Sequence, residues 1–446
     1  MNATLDQIRS CLEGVIPAVL ATCAADGTPN VTYVSQMQYV DAQHVALSFQ
    51  FFNKTRENIL GNPQATALVI DPVTADPYRL SLLYLRTEIE GPLFQAMKAK
   101  LAGIASHTGM SGVFKLQGAD VYRVQSVEKV SGGGIPRPPR QRNLLHALRS
   151  ASLKLAQAAE LGQLFDQALA VLAQEFSVSH ALLLMADEPC QRLYTVASRG
   201  YSATGVGSEI AFGDGVIGVA AQFRVPIRIN HMTMEYGYGR VARDGAAAYA
   251  GPLETGIPFP GLAEPHSQLA VPVCAGTRLL GVLCVESPRD LAFGYDDEDA
   301  IVALASLIGM STLALQQAGD AAGTEPSASP PAAAPSAGPP VEVRHYRANH
   351  SIFVGSDYLI KGVAGAILWK LLRTQAASGR CDFSNRELRA MSDLGLPELS
   401  DNLEARLVLL QRRLAERCPS IGLEKAGRGQ LRLVLRGRLQ LLEVDG

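Results

Sequence analysis

Paired cysteines, long apolar runs and a basic leader are all missing from this 446-residue chain, and each absence removes a class of protein. The seven cysteines, at positions 11, 23, 190, 274, 284, 381 and 418, include no Cys-x-x-Cys pair, which disfavours a disulfide framework or a zinc knuckle. No stretch of about 18 uninterrupted apolar residues occurs, which argues against a membrane span. The opening Met1-Asn2-Ala3-Thr4-Leu5-Asp6 lacks the charged start and apolar core of an export signal, so a soluble cytoplasmic protein is expected. No Ser-His-Asp set, metal triad, paired-carboxylate cleft or phosphate P-loop emerges, so no catalytic or metal-binding residue is assigned.

What is present suffices for several cores. The chain is 47% hydrophobic and 18% charged, which excludes a disordered protein, and its length suits about three domains. The net charge of -2 hides an asymmetry, because residues 341 to 446 hold 17 Lys and Arg against 12 Asp and Glu. A basic tail on an acidic body points weakly to an anionic partner; the alternative is a solvated surface. Residues 319 to 340 hold seven Ala and six Pro in 22 positions and read as an extended linker. A shorter break, Ser131-Gly132-Gly133-Gly134 followed by three prolines, gives the division 1–130, linker 131–143, 144–317, linker 318–340 and 341–446. The expected fold class is an α+β multidomain protein.

Within 1–130, short β-branched runs alternate with turn signals, notably Asp26-Gly27 between Val15–Thr22 and Val31–Gln36. Strands are also expected at Val45–Phe49 and Ala65–Ile70, with a short helix over Asn53–Leu60 between them. The stretch Leu47-Ser48-Phe49-Gln50-Phe51-Phe52-Asn53-Lys54-Thr55-Arg56-Glu57-Asn58, ending in Asn62-Pro63, resembles the pyridoxamine 5'-phosphate oxidase-like flavin-binding split barrels, with Gly118–Val124 as the closing strand. The resemblance implies a split β-barrel, a homodimer, and FMN held by Ser48, Gln50, Asn53, Lys54, Thr55 and Arg56. Helix-start N–H groups beside Lys54 and Arg56 suit a phosphate; the alternative is that both cations merely solvate a helix. The family's strand arginine is missing from Val31–Ser35, as is its C-terminal substrate segment, so oxidation of pyridoxamine phosphate is not expected.

Residues 144 to 176 carry leucines at helical spacing, and hairpins are expected at His180–Met185 with Leu193–Ser198 and at Leu269–Cys274 with Leu279–Glu286, before a helix from Asp296 to Leu315. The landmarks Gly213-Asp214-Gly215-Val216-Ile217-Gly218, Val225-Pro226-Ile227-Arg228-Ile229-Asn230 and Leu279-Leu280-Gly281-Val282-Leu283-Cys284-Val285-Glu286 resemble a GAF domain, an α/β sandwich. The resemblance implies a small-molecule ligand under the loop from His231 to His266, with Met232, Met234, Tyr236, Tyr238 and Phe259 as candidate contacts; packing against the sheet is the competing role. His231 and His266 lack a third ligand and read as ordinary loop histidines. Register counting from a Gly276-Thr277 turn pairs Cys284 with Leu269 and sends Cys274 and Cys284 to opposite faces.

Residues 341 to 446 give three short strands, helices at Gly362–Gln375, Ser384–Met391 and Asp401–Arg417, and a basic hairpin from Ile421 to Val434. Ser384 and Glu387 form a capping box. This order resembles the winged-helix domain of OmpR-type response regulators, which implies DNA contact through Arg406, Gln411, Arg412, Arg413, Lys425 and Arg428. Asp401 and Glu404 would repel phosphates, which leaves a protein-binding winged helix as the alternative. The combined expectation is a cytoplasmic, homodimeric, ligand- or redox-sensing transcriptional regulator without a membrane partner. The alternative is an FMN-dependent oxidoreductase with regulatory GAF and winged-helix domains.

Overall fold

The computed structural model describes residues 3–34, 37–49, 54–107, 115–131, 134–137, 142–230, 256–321, 340–391, 402–427 and 429–444. Its first sheet is antiparallel, with β1 (Ala18–Cys23), β2 (Pro29–Val34), β3 (Met37–Asp41), β4 (His44–Phe49), β5 (Gln64–Ile70), β6 (Pro77–Glu88) and β7 (Gly118–Lys129) in the order β2-β1-β5-β6-β7-β4-β3. Gly27 adopts φ +87° in the first turn, the left-handed backbone that favours glycine. Helix α1 (Lys54–Gly61) links β4 to β5, and α2 (Pro92–His107) links β6 to β7. Alternate residues such as Leu20, Ala67, Val69, Leu80 and Leu82 point into one apolar core, which the 3-10 segment Leu5–Leu12 closes with Leu5, Ile8 and Leu12.

Helices α3 (Leu144–Leu155) and α4 (Leu161–Glu175) precede the second sheet, which comprises β8 (His180–Asp187), β9 (Arg192–Arg199), β10 (Glu209–Ala211), β11 (Ile227–Ile229), β12 (Ser267–Ala275) and β13 (Arg278–Ser287). Its order is β10-β9-β8-β13-β12-β11, with α5 (Gly215–Phe223) before β11 and α6 (Tyr295–Ala321) after β13. One face buries Leu183, Val271 and Leu283 against α3, α4 and α6. The other buries Leu182, Leu184, Ala270 and Val282 against α5 and against Ala99 of α2, so a helix of the first unit covers part of the second.

Two sequence expectations change here. An extra residue in β13, Leu280, shifts the register between Val273 and Cys274, so Cys284 pairs with Ala270 instead of Leu269. Cys274 and Cys284 therefore border the same apolar cluster, as free thiols whose pKa values burial pushes up. Secondly, Tyr295–Ala318 within α6 is long and apolar enough, by length and composition, to cross a membrane; scattered Ser and Gly had broken the run. Ile301, Leu304, Ala305 and Ile308 of that helix lie in the core.

The third unit runs β14 (Val341–Tyr346), β15 (Ser351–Val354), β16 (Asp357–Ile360), α7 (Gly362–Ser378), β17 (Asp382–Ser384), α8 (Asn385–Ala390), α9 (Leu403–Arg417), β18 (Ile421–Gly427), β19 (Gln430–Leu435) and β20 (Leu439–Val444). The sheets are β16-β15-β14-β20 and β17-β19-β18, with β20 parallel to β14. Ser384 caps α8 by accepting from Glu387 N at 3.2 Å, while the Glu387 carboxylate pairs with Arg380.

His345 of β14 is buried, stacked 4.7 Å from the Trp369 ring, with Nε2 3.2 Å from His350 Nδ1 and Nδ1 3.5 Å from Glu443, itself paired with Arg347. Burial first, then His350, lowers the His345 pKa below its ordinary 6.5. The unfolded chain thus takes up a proton that folded His345 resists. This contribution to stability is complete above about pH 6.5 and is lost as pH falls toward the lowered folded value. Unfolding followed by Trp369 fluorescence is expected to show that loss, and His345→Phe to flatten it; an identical acid profile in the variant would contradict this.

Candidate functional site

At the first sheet, the start of α1 supplies Lys54, Thr55 and Arg56. Lys54 is half-exposed and 3.1 Å from Glu57, and Thr55 Oγ1 accepts from Asn30 Nδ2 at 2.8 Å. Arg56 is held differently. Its Nη1 donates to Asp120 Oδ1 at 2.5 Å and its Nη2 to Thr87 Oγ1 at 3.1 Å, while the guanidinium lies 3.8 Å from the Phe49 ring centre. Thr87 also donates to Asp120 at 2.5 Å and meets Tyr84 OH at 2.7 Å. Ser48 lies in β4 opposite Ala119, half-buried; Gln50 and Asn53 lie outside the described residues.

The donor set fits an anionic phosphate in part. Helix-start amides and the half-exposed Lys54 are suited to it. Arg56 is already paired with Asp120, whose side chain is only 5% exposed. Sequence reading missed Asp120; a lone carboxylate in the apolar run of β7 was the available signal.

On the α5 face of the second sheet, Glu286 is buried at the end of β13. It accepts from Tyr201 OH at 3.0 Å, Leu262 N at 3.0 Å and Gln268 Nε2 at 2.5 Å. Burial, reinforced by Glu286, raises the Tyr201 pKa and keeps the phenol protonated as a donor. This polar cluster sits on the same face as Cys284 and was not among the sequence candidates. Of those, Met232, Met234, Tyr236 and Tyr238 lie outside the described residues, and Phe259 is partly exposed.

Between the first and second units lies a buried charge network. Arg228 of β11 contacts Glu13 at 2.7 Å and Glu298 at 2.6 Å, donates to Phe293 O at 3.2 Å, and lies 4.3 Å from the Tyr295 ring centre. Asn230 donates to Glu13 as well. Burial opposes the charge on Arg228, yet Glu13 and Glu298 hold its pKa above the usual guanidinium value. Nearby Lys100 of α2 has its pKa lowered by burial and then by Arg228.

The candidate DNA contacts occupy a different setting from the one expected. Arg412 donates to Val196 O at 2.7 Å, Gly162 O at 3.1 Å and Asp166 at 2.7 Å, and Arg406 pairs with Asp187 at 2.9 Å. Lys425 pairs with Glu160. All three therefore face the second unit. Arg413 is buried within its own unit, donating to Leu359 O at 2.9 Å, and burial lowers its pKa. Gln411 lines a cavity of about 140 Å³ with Leu161, Leu315, Val408 and Lys425. Arg428 and Asp401 lie outside the described residues, and Glu404 pairs with Arg389 at 2.9 Å.

Comparison with known proteins places these units. Residues 4–102 match the family described as pyridoxamine 5'-phosphate oxidase, and residues 160–311 match the GAF domain. Among solved structures, the chain is similar to the GAF domain from an Acinetobacter phosphoenolpyruvate-protein phosphotransferase, at 18% identity over 40% of this chain and 97% of that one (TM-score 0.31). It is similar to an FMN-binding protein from Syntrophomonas wolfei subsp. wolfei at 18% identity over 29% and 86% (TM-score 0.25). A free methionine-R-sulfoxide reductase from Neisseria meningitidis, in complex with its substrate, is similar at 19% identity over 39% and 91% (TM-score 0.30). No curated protein matches. The chain thus combines a pyridoxamine 5'-phosphate oxidase-like split barrel with a GAF domain, a pairing that suggests a sensing or regulatory role.

Proposed function

We propose that this chain is a cytoplasmic regulator, transcriptional in output, in which a flavin in the split barrel and a small molecule in the GAF domain control a C-terminal winged helix that binds DNA. The observation that carries the reading is the placement of the GAF sheet between its neighbours: α2 of the barrel packs on α5 and β11, while α9 packs on α4 and β9. A ligand that shifts either face of the GAF sheet would be felt by both neighbours. In the barrel, the α1 amides and Lys54 would hold the flavin phosphate, with Arg56 and Asp120 fixing the helix start; bound flavin would supply reversible electron transfer. In the GAF domain, the Glu286 cluster and Phe259 would border the ligand. A homodimer belongs to the same reading, supported by Tyr33 on the edge strand β2 and Leu145 on α3, both 79% exposed.

The test is the composition of the purified full chain. Visible flavin absorbance, a co-purifying small molecule by mass spectrometry, and salt-sensitive binding to promoter DNA are the expected results. A colourless protein that binds no DNA at low salt would overturn the reading. The match of residues 4–102 favours, as second reading, an FMN-dependent oxidoreductase regulated by the other two domains; steady turnover of a reductant without DNA binding would select it.

A further inference from the structure

The contacts of α9 bear on how the output surface is used. Four cations of the C-terminal domain meet four carboxylates of the GAF domain: Lys361 with Glu209 at 3.3 Å, Arg406 with Asp187 at 2.9 Å, Arg412 with Asp166 at 2.7 Å, and Lys425 with Glu160. Between them, Asn402 donates to Ala186 O at 2.9 Å and Arg412 reaches two backbone carbonyls. The GAF side is thus a row of carboxylate and carbonyl acceptors set against guanidinium and ammonium donors. A nucleic-acid backbone offers the same donors a comparable row of anionic oxygens.

We propose that the GAF domain and a nucleic-acid backbone compete for this one cationic face of the C-terminal domain. The proposal rests on the DNA-binding output argued above. In the docked chain the face is covered, because Arg406 is only 7% exposed and lies between the two domains. The charged contacts are the weaker part of this docking, beside an apolar cluster that runs on from the GAF helices through Leu407, Leu409 and Leu410 of α9. The pairs Arg412–Asp166 and Lys425–Glu160 are wet at one or both ends, where water and salt weaken them, and the cavity of about 140 Å³ beside Gln411 leaves the interface imperfectly filled. Nineteen residues, rich in proline and alanine, separate Ala321 at the end of α6 from Val341 at the start of β14. Each partner therefore excludes the other.

The experiment uses the full chain with Glu160→Ala, Asp166→Ala and Asp187→Ala, all on the GAF side, so that every C-terminal cation is kept. Amide exchange across α9 reports undocking, and fluorescence anisotropy with a labelled 30-base-pair duplex, about three helical turns, reports binding. The expected result is faster exchange in α9 together with binding tighter than wild type by about tenfold, in the usual range of intramolecular coupling. The undocked variant should show a log–log salt slope of about -3.6, for four phosphate contacts. Faster exchange with binding equal to a measurable wild-type affinity overturns the competition while leaving DNA output standing. Faster exchange with no binding in either protein overturns the DNA output, and the competition with it. Unchanged exchange shows that these charges do not hold the domains and also overturns the proposal. Should the triple variant misfold, Glu160→Gln with Asp166→Asn, at well-exposed positions, carries the same test.

Discussion

Replacing Arg228 with alanine is expected to cost about 3–5 kcal/mol of stability, because Glu13, only 6% exposed, would be left buried without its main partner. Chemical denaturation of the full chain checks this. The barrel–GAF contact should weaken first, since Glu13 belongs to the barrel side and Arg228 to the GAF side. Lys100 offers only partial compensation, as burial already disfavours its charged form. Removing both charges, with Arg228→Met and Glu13→Gln, is expected to recover most of the loss, because no buried ion is then stranded. A single variant as stable as wild type would show that the network contributes nothing to joining the domains.

The second large effect separates two cations that the sequence presents as equals. Arg56→Ala leaves Asp120 buried without its guanidinium and should destabilise the barrel by about 3–5 kcal/mol, visible as a lowered melting temperature with or without flavin. Lys54→Ala removes a solvent-exposed pair and should change stability by about 0.5 kcal/mol or less, while weakening flavin retention through loss of the phosphate cation. Equal melting of the two variants would contradict the positioning role of Arg56. Flavin retention untouched by Lys54→Ala would remove that lysine from the cofactor site.

Local periodicity made much of the architecture legible. Asp26-Gly27 announced the β1–β2 turn, leucines at helical spacing gave α3 and α4, and Ser384 marked the start of α8. The register of β12 and β13 was not readable beyond Val273, because a bulge at Leu280 has no signature in an evenly apolar run. Helix α2 went unread, since its Ala and Gly positions form no bold stripe yet pack against another unit. The start of α1 was legible, but the pairing of Arg56 was not, because its partner Asp120 lies 64 positions away. The basic face of α9 was also evident in the sequence. Its occupant was not, since an arginine spaced to meet a phosphate is equally spaced to meet Asp166 or Asp187.

The meeting of α2 with β11 has a mechanical corollary. A methyl group added at Gly103 would lie 2.9 Å from Ile227 Cγ2, and Ala99 is fully enclosed, so at this point the helix meets the stiff, β-branched side chain of the strand with only small residues of its own. Flexible side chains absorb small shifts by changing rotamer, whereas glycine and alanine have none to change. A displacement of β11 would accordingly pass into the barrel as movement of a whole helix, like a push rod, with little slack lost on the way.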